Sequence, residues 1–186
     1  MRRRISGLVL AAALVLSASY ARAADITNIY TNNLFASAFT TDPSTGVSIG
    51  IFPSRVKGKG APVDTLFMIV SGPFGFATIQ GTLPKNALHI TAHAASLEVD
   101  IADMTDVVNS GFPASGVVSV DWHATGVERT SGSFKQEFGN VTATNVGTAT
   151  FSSADVEGSF FGAELLDPGG DISLAHSSLH LHISTN

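Results

Sequence analysis

The chain has 186 residues, with 15 Asp and Glu against 10 Lys and Arg and no cysteine. Its length fits one domain with a sizeable core. A net charge of −5 repels phosphate backbones and disfavours nucleic acid as a partner, and the absence of cysteine excludes disulfides and thiol chemistry.

The first element predicted is a leader. "MRRRISGLVLAAALVLSASYARA" opens with Arg2, Arg3 and Arg4, continues with an apolar run from Ile5 to Leu16, and ends in Ala21-Arg22-Ala23. That is the n-region, h-region and small-residue cleavage site of a secretory signal, with cleavage expected after Ala23. The apolar run is shorter than the ~20 residues a membrane-spanning helix needs, so no span is expected once the signal is removed. The remaining chain, 186 − 23 = 163 residues, carries 6 − 15 = −9 charges, because four arginines leave with the leader. The expected location is secreted or periplasmic.

Turn signals then recur along the chain: "TDPSTG" (41–46), "VKGKGAP" (56–62), "SGPFG" (71–75), "NSGFPASG" (109–116), "RTSGS" (129–133) and "LDPGGD" (166–171). Between them lie short runs rich in Val, Ile, Thr and Phe. This rhythm predicts an all-β domain over residues 24–186. The expected architecture is an antiparallel β-sandwich of jelly-roll or Greek-key type, with a closed β-barrel as the alternative. A membrane barrel fits less well, because one Tyr and one Trp after the leader do not make two aromatic girdles.

"GVSIG" (46–50) matches G-x-S-x-G around Ser48. The motif works only on a strand-turn-helix, and here an alternating strand runs into Pro53. "TLFMIV" (65–70) does not alternate and reads as a central strand covered on both faces. "NALHITAHAASLEV" (86–99) reads as one strand with a bulge near Ala95, which brings His89, His93, Glu98 and Asp100 onto one polar face; a helix capped by Asn86 is the alternative. In "SLEVDIAD" the core set is Leu97, Val99 and Ile101; in "VVSVDWHAT" it is Val118, Val120 and Trp122. The acidic series Glu98, Asp100, Asp103, Asp106 reads as a solvated strand edge. Asp167 and Asp171 in "DPGGD" lack EF-hand spacing and read as a turn. "NVT" (140–142) is a glycosylation sequon of little weight beside a bacterial-looking leader.

The chain closes with "SLHLHISTN". His180 and His182 stand ~6.5 Å apart on one face of a strand, close enough to share a Zn²⁺. A third ligand is missing downstream, and Leu179, Leu181 and Ile183 are expected to take the core side, leaving the histidines in water. The phosphate-loop ending is also absent, so no cofactor is expected.

The segment "VDWHATGVERTSGS" (120–133) resembles a strand of the type V-D-x-x-W-x-x-T-G in a loosely defined group of small secreted bacterial proteins without assigned activity. Trp122 and Thr125-Gly126 carry the match, with one residue fewer between Asp121 and Trp122. The resemblance implies an all-β secreted domain and transfers no site residue.

Together these features predict an exported domain that acts by surface recognition of an unknown extracellular or periplasmic ligand, or as a structural element, rather than by catalysis. Its candidate loops are 109–116 and 126–133, with Phe112, Glu128 and Arg129 as ligand-binding candidates. A metal-binding periplasmic protein built on His180 and His182 is the second expectation. A small hydrolase using acidic pairs such as Glu98 and Asp100 is the third.

Overall fold

The structure, a computed structural model, describes residues 27–183; the expected leader lies outside the described residues. Eleven strands form one antiparallel sheet: β1 (Thr27–Asp42), β2 (Val47–Lys57), β3 (Val63–Gly72), β4 (Gly75–Thr82), β5 (Leu88–Ile90), β6 (Ala94–Asp100), β7 (Thr105–Ser110), β8 (Val117–Phe138), β9 (Val141–Phe160), β10 (Ala163–Glu164) and β11 (Gly169–Ile183). A single 3₁₀ turn, Ile101–Asp103, joins β6 to β7. The strands lie in the order β5-β6-β8-β9-β11-β1-β2-β3-β4-β7, with β10 paired to β9. The fold is all-β as expected, and the sheet is not closed into a barrel. No helix among the described residues is long and apolar enough to cross a membrane.

The sheet buries a core by folding over on itself. Ile51, Leu66, Met68 and Ile79 from β2, β3 and β4 join Leu88, Leu97, Val118 and Trp122 from β5, β6 and β8 in one buried cluster. The chain crosses between these two halves three times: from β4 to β5, from β6 through the 3₁₀ turn to β7, and from β7 back to β8. A strand path that switches layers makes the corner of such a sandwich.

Polar bonds fix the layers to each other. The Trp122 indole N–H donates to the Ser37 carbonyl at 2.7 Å, joining β8 to β1. Arg55 on β2 grips Asp64 with two bonds of 2.7 Å and donates a third, also 2.7 Å, to the Leu88 carbonyl on β5. The Ser152 hydroxyl donates to the Ala92 carbonyl, and the Thr40 hydroxyl to the Leu166 carbonyl. Gly170 lies beneath the Trp122–Ser37 contact: a Cβ there would strike the Ser37 carbonyl oxygen and Val156 and crowd the Trp122 ring.

Three local expectations change. The "NALHITAHAASLEV" segment is neither a single bulged strand nor a helix. It reverses at 91–93 into a hairpin, with Ile90 opposite Ala95, and the reversal itself resolves the phase conflict. Register shifts lie elsewhere, at Thr125 on β8, between the Ala124–Ala154 and Gly126–Ser153 pairs, and between Gln80 and Thr82 where β4 meets β7. "TLFMIV" is covered on one face only: Leu66 and Met68 are buried, while Phe67 between them is 37% exposed.

Trp122 is fully buried, as are Val118 and Val120. Trp122→Ala is expected to cost about 3–5 kcal/mol of unfolding free energy. Trp122→Phe keeps most of the ring but orphans the Ser37 carbonyl, and should cost about 1–3 kcal/mol. Urea unfolding followed by circular dichroism checks both; equal stability of wild type and Trp122→Phe would show that the cross-layer bond contributes nothing.

Candidate functional site

The outer face of β5, β6 and β8 carries a depression of ≈ 240 Å³ lined by His89, Ser96, Glu98, Ser119 and Asp121, with Asn86, Ala87 and Leu97 at its margin. Strand register builds it. His89 pairs with Ser96, Ser96 with Asp121 and Asp121 with Glu157, so these four stand in one row across four strands. In the next row Glu98 pairs with Ser119. Alternation sends their neighbours Leu88, Leu97, Val120 and Trp122 into the core, so the polar residues must face out. The turn before β5 closes one end: Asn86 adopts a left-handed φ of 71°, and Glu98 N–H donates to the Ala87 carbonyl at 2.9 Å.

The chemistry of this row follows from its order. Directly paired residues sit ~5 Å apart, so His89 and Asp121 bracket a gap of ~10 Å centred on Ser96. The serine therefore lies between the imidazole and the carboxylate. A nucleophile relay needs the histidine in the middle, and this arrangement does not supply one. Asp121 and Glu157 are directly opposed like charges, which is unfavourable without a counter-charge. The ion pairs among the described residues are Arg55–Asp64 and Lys135–Glu137, neither of them here. No three His, Asp or Glu among the described residues converge closely enough to hold a metal ion.

Asp100 has a different task. Its carboxylate accepts the Ala102 N–H at 3.0 Å and the Gly116 N–H at 2.9 Å, capping the 3₁₀ turn and tying it to the start of β8. These two backbone bonds, Ala102 first, hold its pKa below the ordinary 3.8. The acidic pair Glu98 and Asp100 is therefore split between the depression and a structural clamp.

The terminal histidines lie on the face opposite to the expected one. β11 pairs in unbroken register, so His180 and His182 share the side of the buried Ile172, and Leu179, Leu181 and Ile183 face outward. His180 meets Tyr30 edge to face at 6.4 Å and lies 3.4 Å from the Ser178 hydroxyl. His176, on the same face, is hydrogen-bonded to Asn32 at 2.7 Å.

Phe112, Glu128 and Arg129 are not brought together. Phe112 packs on Phe160 and Phe161 at one end of the sandwich. Residues 126–133 form no loop: they lie within β8, where Glu128 and Arg129 point to opposite faces. What sequence reasoning missed is Ser96, Asp121 and Glu157, whose signal was present only as outward positions of alternating strands whose pairing was unknown.

No family model matches the chain, and no curated protein does. A solved structure titled "Enduracididine biosynthesis enzyme MppR complexed with the condensation product of pyruvate and imidazole 4-carboxaldehyde" matches at a TM-score of 0.35 and 5% identity, covering 82% of this chain and 86% of that chain. The expectation of an exported recognition domain is corrected at its binding site: the second of its two loops is strand, and Phe112, Glu128 and Arg129 do not meet. A likeness at that TM-score carries nothing about the activity of this chain.

The Asp100 clamp sets a pH dependence. A carboxyl with a lowered folded pKa contributes stability that is present above its ordinary pKa and is lost as pH falls through the folded value. Asp100→Asn should therefore be less stable than wild type at neutral pH, and the gap should close as pH falls below 3.8. Urea midpoints across an acid pH series read this directly; a gap that stays constant or widens in acid would exclude the clamp.

Proposed function

We propose that the depression on β5, β6 and β8 takes a small organic cation and that His89 exchanges a proton with it. The observation that carries this reading is the row His89–Ser96–Asp121–Glu157 with Glu98 beside it: three carboxylates in no ion pair among the described residues, with the His89 imidazole across a hydroxyl from Asp121. No three ligating groups among the described residues converge on one point, and the row suits a larger cation whose amine hydrogens reach more than one carboxylate. Such a ligand relieves the Asp121–Glu157 repulsion. Ser96, between the two ends, can donate to or accept from a hydroxyl or amine of the ligand. His89 can act as general acid or base toward a group held over Ser96, since a candidate base must lie within hydrogen-bond reach of its proton.

Isothermal titration and amide-shift mapping with putrescine and glucosamine, with glucose as the neutral control, test the proposal. The amines should bind and shift the amides of His89, Ser96 and Asp121, and glucose should not. Asp121→Asn with Glu98→Gln should weaken amine binding by about tenfold or more, the effect of losing a charge-assisted bond of about 1.5–3 kcal/mol. Equal binding of glucose, or amine binding unchanged in the double variant, overturns it.

A further inference from the structure

Beyond the buried core, β8, β9, β11 and β1 continue as a four-stranded extension. No residue from 127 to 151 is buried, so no second layer covers this part of the sheet. Its two faces differ in kind. The inner face carries Arg129, Lys135, Glu137, His176, His180 and His182. The outer face, read along the paired rows from Phe35–Ser173–Phe151–Glu128 to Ile183–Val141–Phe138, carries one charge, Glu128. Phe134 is 62% exposed and Phe151 47%.

We propose that this outer face is the interface of a two-fold dimer of the chain. Relief and charge both fit a second copy. The row Gly132–Gly147–Ser177–Thr31 is low across all four strands, while the Phe134–Asn145–Leu179–Ile29 row beside it and the Phe35–Phe151 row below stand tall. In a two-fold arrangement the tall rows of one copy settle onto the low rows of the other, as an isologous interface demands. A nearly uncharged face meets its own copy without like-charge repulsion, whereas the inner face would not. From residue 173 to 183 on β11 the face is ~34 Å long, and four strands make it ~19 Å wide. The resulting footprint of roughly 650 Å² falls within the roughly 600–1,000 Å² per partner of stable interfaces.

Sedimentation equilibrium of the wild-type protein should give twice the chain mass. Ala149→Glu, on the outer face, should halve that mass, while Thr148→Glu, one residue away on the inner face, should leave it unchanged. Circular dichroism confirms that each variant is folded, and Ile183→Glu at the exposed end of β11 replaces Ala149→Glu if the latter fails to fold. A wild-type monomer overturns the proposal, and so does equal dissociation by the outer and inner substitutions. A monomer that floats with phosphatidylcholine vesicles assigns the face to a lipid surface and equally overturns the dimer.

Discussion

The hydrogen bond from the Trp122 indole to the Ser37 carbonyl is where the two layers are held in register. The largest fully buried side chain of the protein is Trp122, and its one polar atom needs a partner in an apolar interior. A carbonyl on β1 provides it, at a gap in the β1–β2 pairing between Phe35–Ser54 and Ala38–Ile51. Gly170 must then stay without a side chain, since the β11 backbone passes directly under the contact. One bond thus ties the identities of two positions, Trp122 on β8 and Gly170 on β11, to the backbone of a third strand.

The site depends on this arrangement at one remove. With Trp122, Val120 and Leu97 committed to the core, the intervening residues of β6 and β8 have no choice but to face outward, in the register that aligns His89, Ser96 and Asp121. The layer switch through the 3₁₀ turn keeps β6 from sliding, because Asp100 clamps both Ala102 and Gly116. Rigid strands, not loops, therefore carry the candidate chemistry. Such strands hold side-chain geometry more tightly than mobile connections do.

Much of the fold was legible in the sequence wherever one face of a strand is buried and the other wet. Val118, Val120 and Trp122, and likewise Leu97, Val99 and Ile101, follow that rule and are buried. The rule fails where neither face is covered. Leu179, Leu181 and Ile183 look like core residues, yet they sit on the outer face of the extension, so the histidines between them take the other side. Gly126 and the stretch Thr130-Ser131-Gly132 look like turn chemistry, but here they lie within the 22-residue strand β8. The candidate site was hidden for another reason: His89, Asp121 and Glu157 are far apart in sequence, and antiparallel register, which alternation alone does not determine, is what aligns them.

The bulge at Thr125 gives β8 two reading frames. Before it, even-numbered residues point inward, ending with Trp122 and Ala124; after it, odd-numbered residues do, beginning with Val127. A single extra residue thus lets one continuous strand serve a sandwich at one end and an open extension at the other, each with its own binary code. Were Thr125 instead drawn into the ladder opposite Ser153, the distal half would slip by one residue and be inverted. Phe134 and Phe138 would then face the histidines, and Arg129 and Lys135 would emerge on the neutral side. The chemical character of the extension is therefore a matter of phase, set by one position outside it, as much as of composition.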